Sequence, residues 1–181
     1  MRPMRSLFFV LVLAGWSTLP ASAHGPTPKK VEETIEIAAP PAAVWAILKD
    51  FGGIADWHPL VASSEGKGGN VNGGERTVTL KSGGVLSDGL DDYDDAGMAY
   101  GYRLAKENVE AFPASFYSAS IAVTPGSGGG SKVDWVGRFY RADTSNFPPE
   151  DKNDEAAIAA MTKFLHEGLE GLKSKAEAEA K

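Results

Sequence analysis

The sequence predicts an α+β protein in which a curved, seven-stranded antiparallel sheet wraps around a long C-terminal helix. Two observations support this prediction. Between residues 60 and 141, apolar residues recur at every second position in short segments separated by turn residues, which is typical of antiparallel strands. After residues 147–149 (FPP), apolar residues recur at helical spacing instead. Since a strongly curved sheet cannot pack flush against a straight helix, we expect a cavity between them.

The first elements of the predicted domain are one strand and two short helices. Residues 31–38 (VEETIEIA) alternate apolar and charged side chains, which predicts a strand. Pro40 and Pro41 suit the first turn of a helix, which extends as far as Gly52-Gly53. Residues 54–58 then suit a second short helical turn before Pro59.

Six further strands are expected at residues 60–65, 76–81, 85–93, 98–105, 116–123 and 132–141. The gaps between them carry turn residues, such as Gly68-Gly69-Asn70 and Asp94-Asp95-Ala96-Gly97. Because the gaps are short, strands that follow each other in the chain are expected to be antiparallel neighbours.

The C-terminal helix is predicted from one apolar stripe formed by Ile158, Met161, Leu165, Leu169 and Leu172. About 20 residues at roughly 1.5 Å each give a helix long enough to cross the whole sheet. The folded domain is therefore expected to cover residues 31–173. Residues 174–181 alternate alanine and charge and are expected to fray.

Residues 1–23 are predicted to be a secretory signal peptide. Arg2 and Arg5 precede ten apolar residues, a run too short to span a bilayer, and a small-x-small pattern ends at Ala23. Cleavage between Ala23 and His24 would leave residues 24–30 as an N-terminal spacer. We therefore expect a periplasmic protein, with no membrane segment after cleavage.

The mature chain would carry a net charge near −8, since it retains 16 of the 18 Lys and Arg residues and all 24 Asp and Glu residues. This charge argues against a nucleic-acid partner and favours a basic one. The absence of cysteine excludes disulfides, thiol nucleophiles and thiolate metal sites. Copper binding by an N-terminal His24 would need a second histidine nearby, and the sequence gives no reason to expect one there. We therefore predict no metal site and no cofactor.

The sequence resembles the SRPBCC superfamily of helix-grip proteins, which includes START domains, birch-pollen-allergen-like proteins and polyketide cyclase/dehydrases. The likeness rests on residues 50–59 (DFGGIADWHP), 74–76 (GER) and 135–139 (WVGRF) and covers residues 30–173. It implies the helix-grip fold. It does not imply one activity, because this fold serves carriers, receptors and enzymes.

A closer resemblance is to the MxaD-type periplasmic proteins of methanol oxidation. It rests on residues 24–28 (HGPTP), 103–110 (RLAKENVE), 137–141 (GRFYR) and 146–149 (NFPP). The resemblance implies an accessory role that helps methanol dehydrogenase to interact with its cytochrome c.

Eight residues are candidates for lining a ligand-binding cavity: Trp57, His58, Arg76, Asp88, Tyr100, Tyr102, Tyr117 and Trp135. Trp57 and His58 are expected at the cavity mouth, where they would grip a ligand; alternatively, Trp57 fills the core and His58 is a satisfied surface or capping group. The strand aromatics suit a pocket or, equally, a core. Asp88 near Arg76 suggests an acid/base group or, with more support, an ion pair across strands. No catalytic residue is assigned.

An acidic cluster, Asp91, Asp92, Asp94 and Asp95, is the candidate for binding a basic partner. It lacks the glycine and the terminal glutamate of a calcium loop, so a solvated hairpin end is the alternative. Two functions follow. The first is a non-catalytic accessory protein that binds methanol dehydrogenase or cytochrome c. The second is a small hydrophobic ligand carrier or a cyclase-like enzyme that uses the cavity.

Overall fold

A computed structural model of the chain describes residues 26–181. The predicted signal peptide and its cleavage site between Ala23 and His24 therefore lie outside the described residues. The described elements, in chain order, are β1 (Lys29–Ile37), α1 (Pro41–Leu48), a 3₁₀ turn (Phe51–Asp56), β2 (Val61–Lys67), β3 (Glu75–Leu80), β4 (Val85–Asp94), β5 (Ala99–Lys106), β6 (Ala114–Pro125), β7 (Ser131–Arg141) and α2 (Asp154–Glu179). Two further short 3₁₀ turns are Ser127–Gly129 and Glu150–Lys152.

The predicted fold class is confirmed: seven antiparallel strands form one sheet in the order β1-β7-β6-β5-β4-β3-β2. Each strand begins and ends within two residues of its predicted bounds, because strict alternation and glycine-rich turns define both ends. The inward side chains of the sheet pack against α1 and α2 in one hydrophobic core.

The first helix ends three residues earlier than predicted. Asp50 has an extended backbone, and its side chain accepts a hydrogen bond from the Gly52 N–H at 3.1 Å. This cap starts a new 3₁₀ turn at Phe51, so the second helical turn spans residues 51–56 rather than 54–58.

The expectation that residues 174–181 fray is wrong, since α2 continues to Glu179. Ala176 is buried, and the Glu177 carboxylate accepts a hydrogen bond from the Ala38 N–H at 2.9 Å. The last turns of the helix are therefore packed against the segment that follows β1. No helix among residues 26–181 is long and apolar enough to span a membrane.

Candidate functional site

The centre of the candidate site is a buried ion pair between β3 and β4. Arg76 and Asp88 face each other in the strand register, and the Arg76 Nε–H donates to Asp88 Oδ2 at 2.8 Å. Their side chains are only 1% and 3% exposed. Burial opposes the charge of Arg76, but the attraction and hydrogen bond of the Asp88 carboxylate, together with the nearby Tyr102 and Tyr100 hydroxyls, outweigh it and raise the pKa of Arg76. The pair is therefore charged and neutralised internally.

Aromatic rings enclose the Arg76 guanidinium. Its central carbon lies 4.3 Å from the ring centroid of Phe51 and 4.5 Å from that of Tyr102, which are cation–π distances. Nη1 also donates to the Phe51 carbonyl oxygen at 3.3 Å. These contacts attach the 3₁₀ turn to the sheet.

The second oxygen of Asp88 is occupied by Tyr117, whose hydroxyl donates to Oδ1. Burial and the nearby negative charge of Asp88 raise the pKa of Tyr117, so the phenol stays protonated and remains the donor. A β-bulge in β6 between Ser115 and Ser118 positions this side chain. Within the bulge, Phe116 has a φ of 47° and points outward while Tyr117 points inward.

Tyr100, Tyr102 and Trp135 form the aromatic wall beside this network. The Trp135 Nε1–H donates to the Tyr102 hydroxyl oxygen at 3.2 Å, and the Tyr100 ring meets the Phe51 ring edge to face at 5.7 Å. Burial raises the pKa of Tyr102, so this phenol is also neutral.

His58 lies in the core rather than on the surface and is only 2% exposed. Its Nδ1 accepts from the Leu60 N–H at 3.2 Å, and this contact assigns the proton to Nε2, which donates to the Phe164 carbonyl oxygen at 3.0 Å. Burial lowers the pKa of His58 to about 4, so the ring is neutral near pH 7. The predicted cavity-mouth role is therefore replaced by a link between α2 and the start of β2.

Two glycines of α2 explain how Trp57 and His58 enter the core. A Cβ on Gly168 would lie 2.6 Å from Trp135 Cζ3 and 2.7 Å from His58 Cδ2, and a Cβ on Gly171 would lie 2.1 Å from the Trp57 carbonyl oxygen. The two glycines thus form a notch in the helix that receives this segment. Trp57 is buried and packs on Trp135, with ring centroids 5.7 Å apart. This packing corresponds to the alternative in which Trp57 fills the core instead of gripping a ligand.

The expected cavity between sheet and helix is almost filled. The space left for a water-sized sphere is about 10 Å³, roughly the room for one water molecule. Its walls include Asp88, Tyr102, Tyr117, Met161 and Phe164. A sheet that curves away from a helix leaves space, but here large aromatic side chains occupy it.

The structure brings together six of the eight candidates: Arg76, Asp88, Tyr100, Tyr102, Tyr117 and Trp135. Trp57 and His58 pack against Trp135, with ring centroids 5.7 Å and 6.1 Å from its ring. Phe51 and Phe164 were missed as members of the site. Phe51 follows the apolar face of the first predicted helix, and Phe164 neighbours the Leu165 stripe, so both read as ordinary core residues.

The acidic cluster forms internal contacts at three of its four members. Asp91 pairs with Arg103 at 2.7 Å, Asp94 accepts from the Gly97 N–H at 2.8 Å, and Asp95 accepts from the Trp45 Nε1–H at 2.7 Å. The Asp92 carboxylate lies over Gly101 on the outer face of the sheet. These contacts favour the alternative in which Asp91, Asp94 and Asp95 belong to a solvated hairpin end rather than to a partner-binding cluster.

A second acidic surface lines an open pocket of about 500 Å³ between the 3₁₀ turn at Phe51–Asp56 and β2. Its lining includes Asp50, Asp56, Glu65 and Glu75, all of them exposed, with Lys67 as the single cation among the lining residues. None of these four carboxylates forms an ion pair with another described residue. We call this the pocket-rim acidic surface.

The ionisable groups at the centre of the site already have hydrogen-bond partners within the protein. Both oxygens of Asp88 are bonded, Arg76 is paired, and His58 is neutral with both nitrogens bonded. Within residues 26–181, no three His, Cys, Asp or Glu side chains come close enough together to hold a metal ion. The network is suited to stabilising one packing of the sheet against the helix.

The fold and the buried network define a helix-grip domain with an aromatic, internally neutralised core. The family model described as polyketide cyclase / dehydrase and lipid transport matches residues 28–177. The chain therefore belongs to this family, which confirms the superfamily resemblance. A comparison with curated proteins gave no match.

Solved structures share the same fold. The protein XoxI from Bacillus cereus has a TM-score of 0.68 at 24% identity, over 81% of this chain and 94% of that one. The Zhui aromatase/cyclase from Streptomyces has a TM-score of 0.72 at 20% identity, over 86% and 97%. A norcoclaurine synthase point mutant from Thalictrum has a TM-score of 0.65 at 16% identity, over 86% and 98%. At these identities the likeness shows the fold alone.

Proposed function

We propose that this protein is a non-catalytic periplasmic accessory protein of methanol oxidation, which promotes interaction or electron transfer between methanol dehydrogenase and its cytochrome c. The observation that carries the proposal is the closed interior. A substrate site needs space beside its polar groups, whereas here about 10 Å³ remains and Arg76 and Asp88 are paired with each other. This favours a function carried out at the surface.

The charge of the chain supports a basic partner. The formal net charge of the full sequence is −6, and the pocket-rim acidic surface presents four carboxylates without internal ion pairs among the described residues. Complementary charge steers association and weakens as salt rises. The resemblance of residues 24–28, 103–110, 137–141 and 146–149 to MxaD-type proteins supplies the link to methanol oxidation.

The proposal is tested with the purified mature protein, methanol dehydrogenase and its cytochrome c. We expect the protein to bind one of the two redox proteins and to raise the rate of cytochrome c reduction, with both effects weakening between 20 mM and 300 mM salt. Serum albumin at the same concentration is the control. Absence of binding to both partners together with an unchanged reduction rate would contradict the proposal.

A second candidate is the small-ligand carrier or cyclase-like enzyme. It is favoured by one observation: the residual cavity is lined by the polar groups of Asp88, Tyr102 and Tyr117 among apolar walls. Native mass spectrometry of the protein purified from its host tests this function directly. A bound small molecule lost in Tyr117→Phe would support it, and an empty protein would count against it.

A further inference from the structure

The two most exposed large apolar side chains among residues 26–181 lie at one end of the protein. Phe116 is 70% exposed and Phe147 is 93% exposed. Phe116 lies in the bulge of β6, just after the loop that joins β5 to β6 (residues 107–113), and Phe147 lies in the loop that joins β7 to α2 (residues 142–153). Single exposed apolar residues are common, whereas two large ones on neighbouring loops indicate a surface that another molecule covers. We call the two loops together with Phe116 the loop-end surface.

Direct contacts hold the two loops together. The Ala142 N–H donates to the Pro113 carbonyl oxygen at 3.1 Å, and Lys152 forms an ion pair with Glu110. One connected part of the structure therefore presents both aromatic side chains.

The backbone at these positions does not require a phenylalanine. Phe116 has a φ of 47°, a conformation that glycine or asparagine adopts with less strain. The bulge positions Tyr117 inward, but any residue that accepts this φ would allow that. Phe147 precedes Pro148, and because a residue before proline is biased to extended conformations, little backbone entropy is lost when a partner orders it. Both rings are thus held outward without a packing role of their own.

Carboxylates flank the two phenylalanines. The two loops contain five of them and a single cation, Lys152, which is paired with Glu110. The other four carboxylates form no ion pair with another residue in the part of the chain that the structure describes: Glu107, Asp143, Glu150 and Asp151. The loop-end surface therefore combines two apolar anchors with an acidic surround.

This charge decides between three occupants of the surface. A second copy of the chain would present the same carboxylates, which repel each other. An anionic lipid surface attracts clusters of Lys and Arg rather than of Asp and Glu. A basic protein matches both features, because protein interfaces place aromatic side chains in a desolvated centre and charged groups at the rim.

We infer that the loop-end surface docks a basic protein, with Phe116 and Phe147 in apolar recesses of the partner and the carboxylates facing its Lys and Arg side chains. This inference rests on the proposed accessory function and deepens it. A protein that brings two partners together needs two contact surfaces, and the loop-end surface shares no residue with the pocket-rim acidic surface.

The test measures binding of the mature protein to methanol dehydrogenase and to its cytochrome c, each immobilised separately, by surface plasmon resonance. Phe116→Asn/Phe147→Ser should weaken binding to one of the two about tenfold or more, mainly through faster dissociation. Since asparagine accepts the φ of 47° more readily, this variant should keep or raise the wild-type melting temperature. Val71→Ser removes another exposed apolar side chain, in the turn between β2 and β3, and is the control that keeps the wild-type affinity.

The contribution of charge is tested with Glu150→Gln/Asp151→Asn, which should slow association several-fold at low salt and leave dissociation almost unchanged. Binding to phosphatidylglycerol vesicles and sedimentation of the protein alone test the other two occupants. The inference is overturned, and the proposed function kept, if the wild type binds a redox protein and Phe116→Asn/Phe147→Ser binds it equally well. It is also overturned if the two phenylalanines mediate vesicle binding or self-association instead. Binding of the wild type to neither redox protein would contradict the proposed function as well.

Discussion

Two arginine–aspartate pairs join neighbouring strands of the same sheet, one inside the protein and one outside. Arg76 and Asp88 link β3 to β4 at 2.8 Å with side chains 1% and 3% exposed, whereas Arg103 and Asp91 link β5 to β4 at 2.7 Å with side chains 68% and 32% exposed. The chemistry and the distances are almost the same. The difference in burial decides which pair the fold depends on and which contributes little to it.

The largest loss of stability is expected when the buried cation, Arg76, is removed. Arg76→Met would leave the Asp88 charge buried without its partner, and we expect a loss of about 3–5 kcal/mol in the free energy of unfolding. Urea denaturation followed by tryptophan fluorescence measures it. Adding Asp88→Asn removes the stranded charge while keeping an acceptor for Tyr117, so the double variant should recover part of the loss. A double variant less stable than Arg76→Met would show that the unpaired charge of Asp88 is not the cause of the loss.

The next effect is the pH dependence caused by His58. Its folded pKa of about 4 lies below the ordinary value of 6.5, so the unfolded state binds the proton first as the pH falls. Stability is therefore fully present above pH 6.5 and falls by about 3 kcal/mol as the pH approaches 4. Urea titrations at pH 7, 6, 5 and 4 measure this slope.

The control for this slope is His58→Gln, which does not titrate and should show a much shallower loss between pH 6.5 and 4. His166→Gln alters a histidine on the exposed face of α2 and is the matched surface variant. If both variants keep the full wild-type slope, the loss comes from other groups, and His58 does not have the role assigned to it.

A smaller effect is expected from Tyr117→Phe, which removes one hydrogen bond to the buried carboxylate of Asp88. Leaving that oxygen unsatisfied should cost about 2 kcal/mol. Tyr93→Phe removes a half-buried hydroxyl that donates to the Lys49 carbonyl oxygen, and its effect should be below about 1 kcal/mol. Thermal unfolding of the two variants in parallel compares them; equal losses would argue against a special role for the buried network.

The smallest effect is expected at the exposed pair. Arg103→Met should cost less than about 1 kcal/mol, because water already solvates both charged groups. Raising the salt concentration to 1 M should reduce even this difference, since exposed pairs are screened. A loss at Arg103 that approaches that of Arg76→Met would mean that burial does not separate the two pairs.

The fold followed from the sequence because its signals are local. Alternation and glycine turns define the strands, and the stripe from Ile158 to Leu172 defines α2. The helix end was misjudged at Ser174 because burial of Ala176 depends on a segment more than 130 residues away. A contact between segments so far apart in the chain cannot be predicted from the local spacing of apolar residues.

Six of the eight candidate residues lie together in the structure, whereas the sequence did not indicate Phe51 and Phe164 as members of the site. Arg76 and Asp88 were identified as a candidate ion pair, which the structure contains. The filling of the cavity depends on where Phe164 and Met161 come to rest after the sheet closes. The entry of His58 into the core likewise depends on Gly168, 110 positions later, where the helix leaves room for the ring.

The central claim is that the interior stabilises the fold while the surface carries the function. The most direct test measures cytochrome c reduction by methanol dehydrogenase with two matched variants. Tyr117→Phe alters the interior, and Asp56→Asn/Glu65→Gln/Glu75→Gln neutralises three carboxylates of the pocket-rim acidic surface. We predict that Tyr117→Phe keeps the wild-type stimulation and that the triple variant loses most of it. Stimulation abolished by Tyr117→Phe and unchanged in the triple variant would contradict the claim.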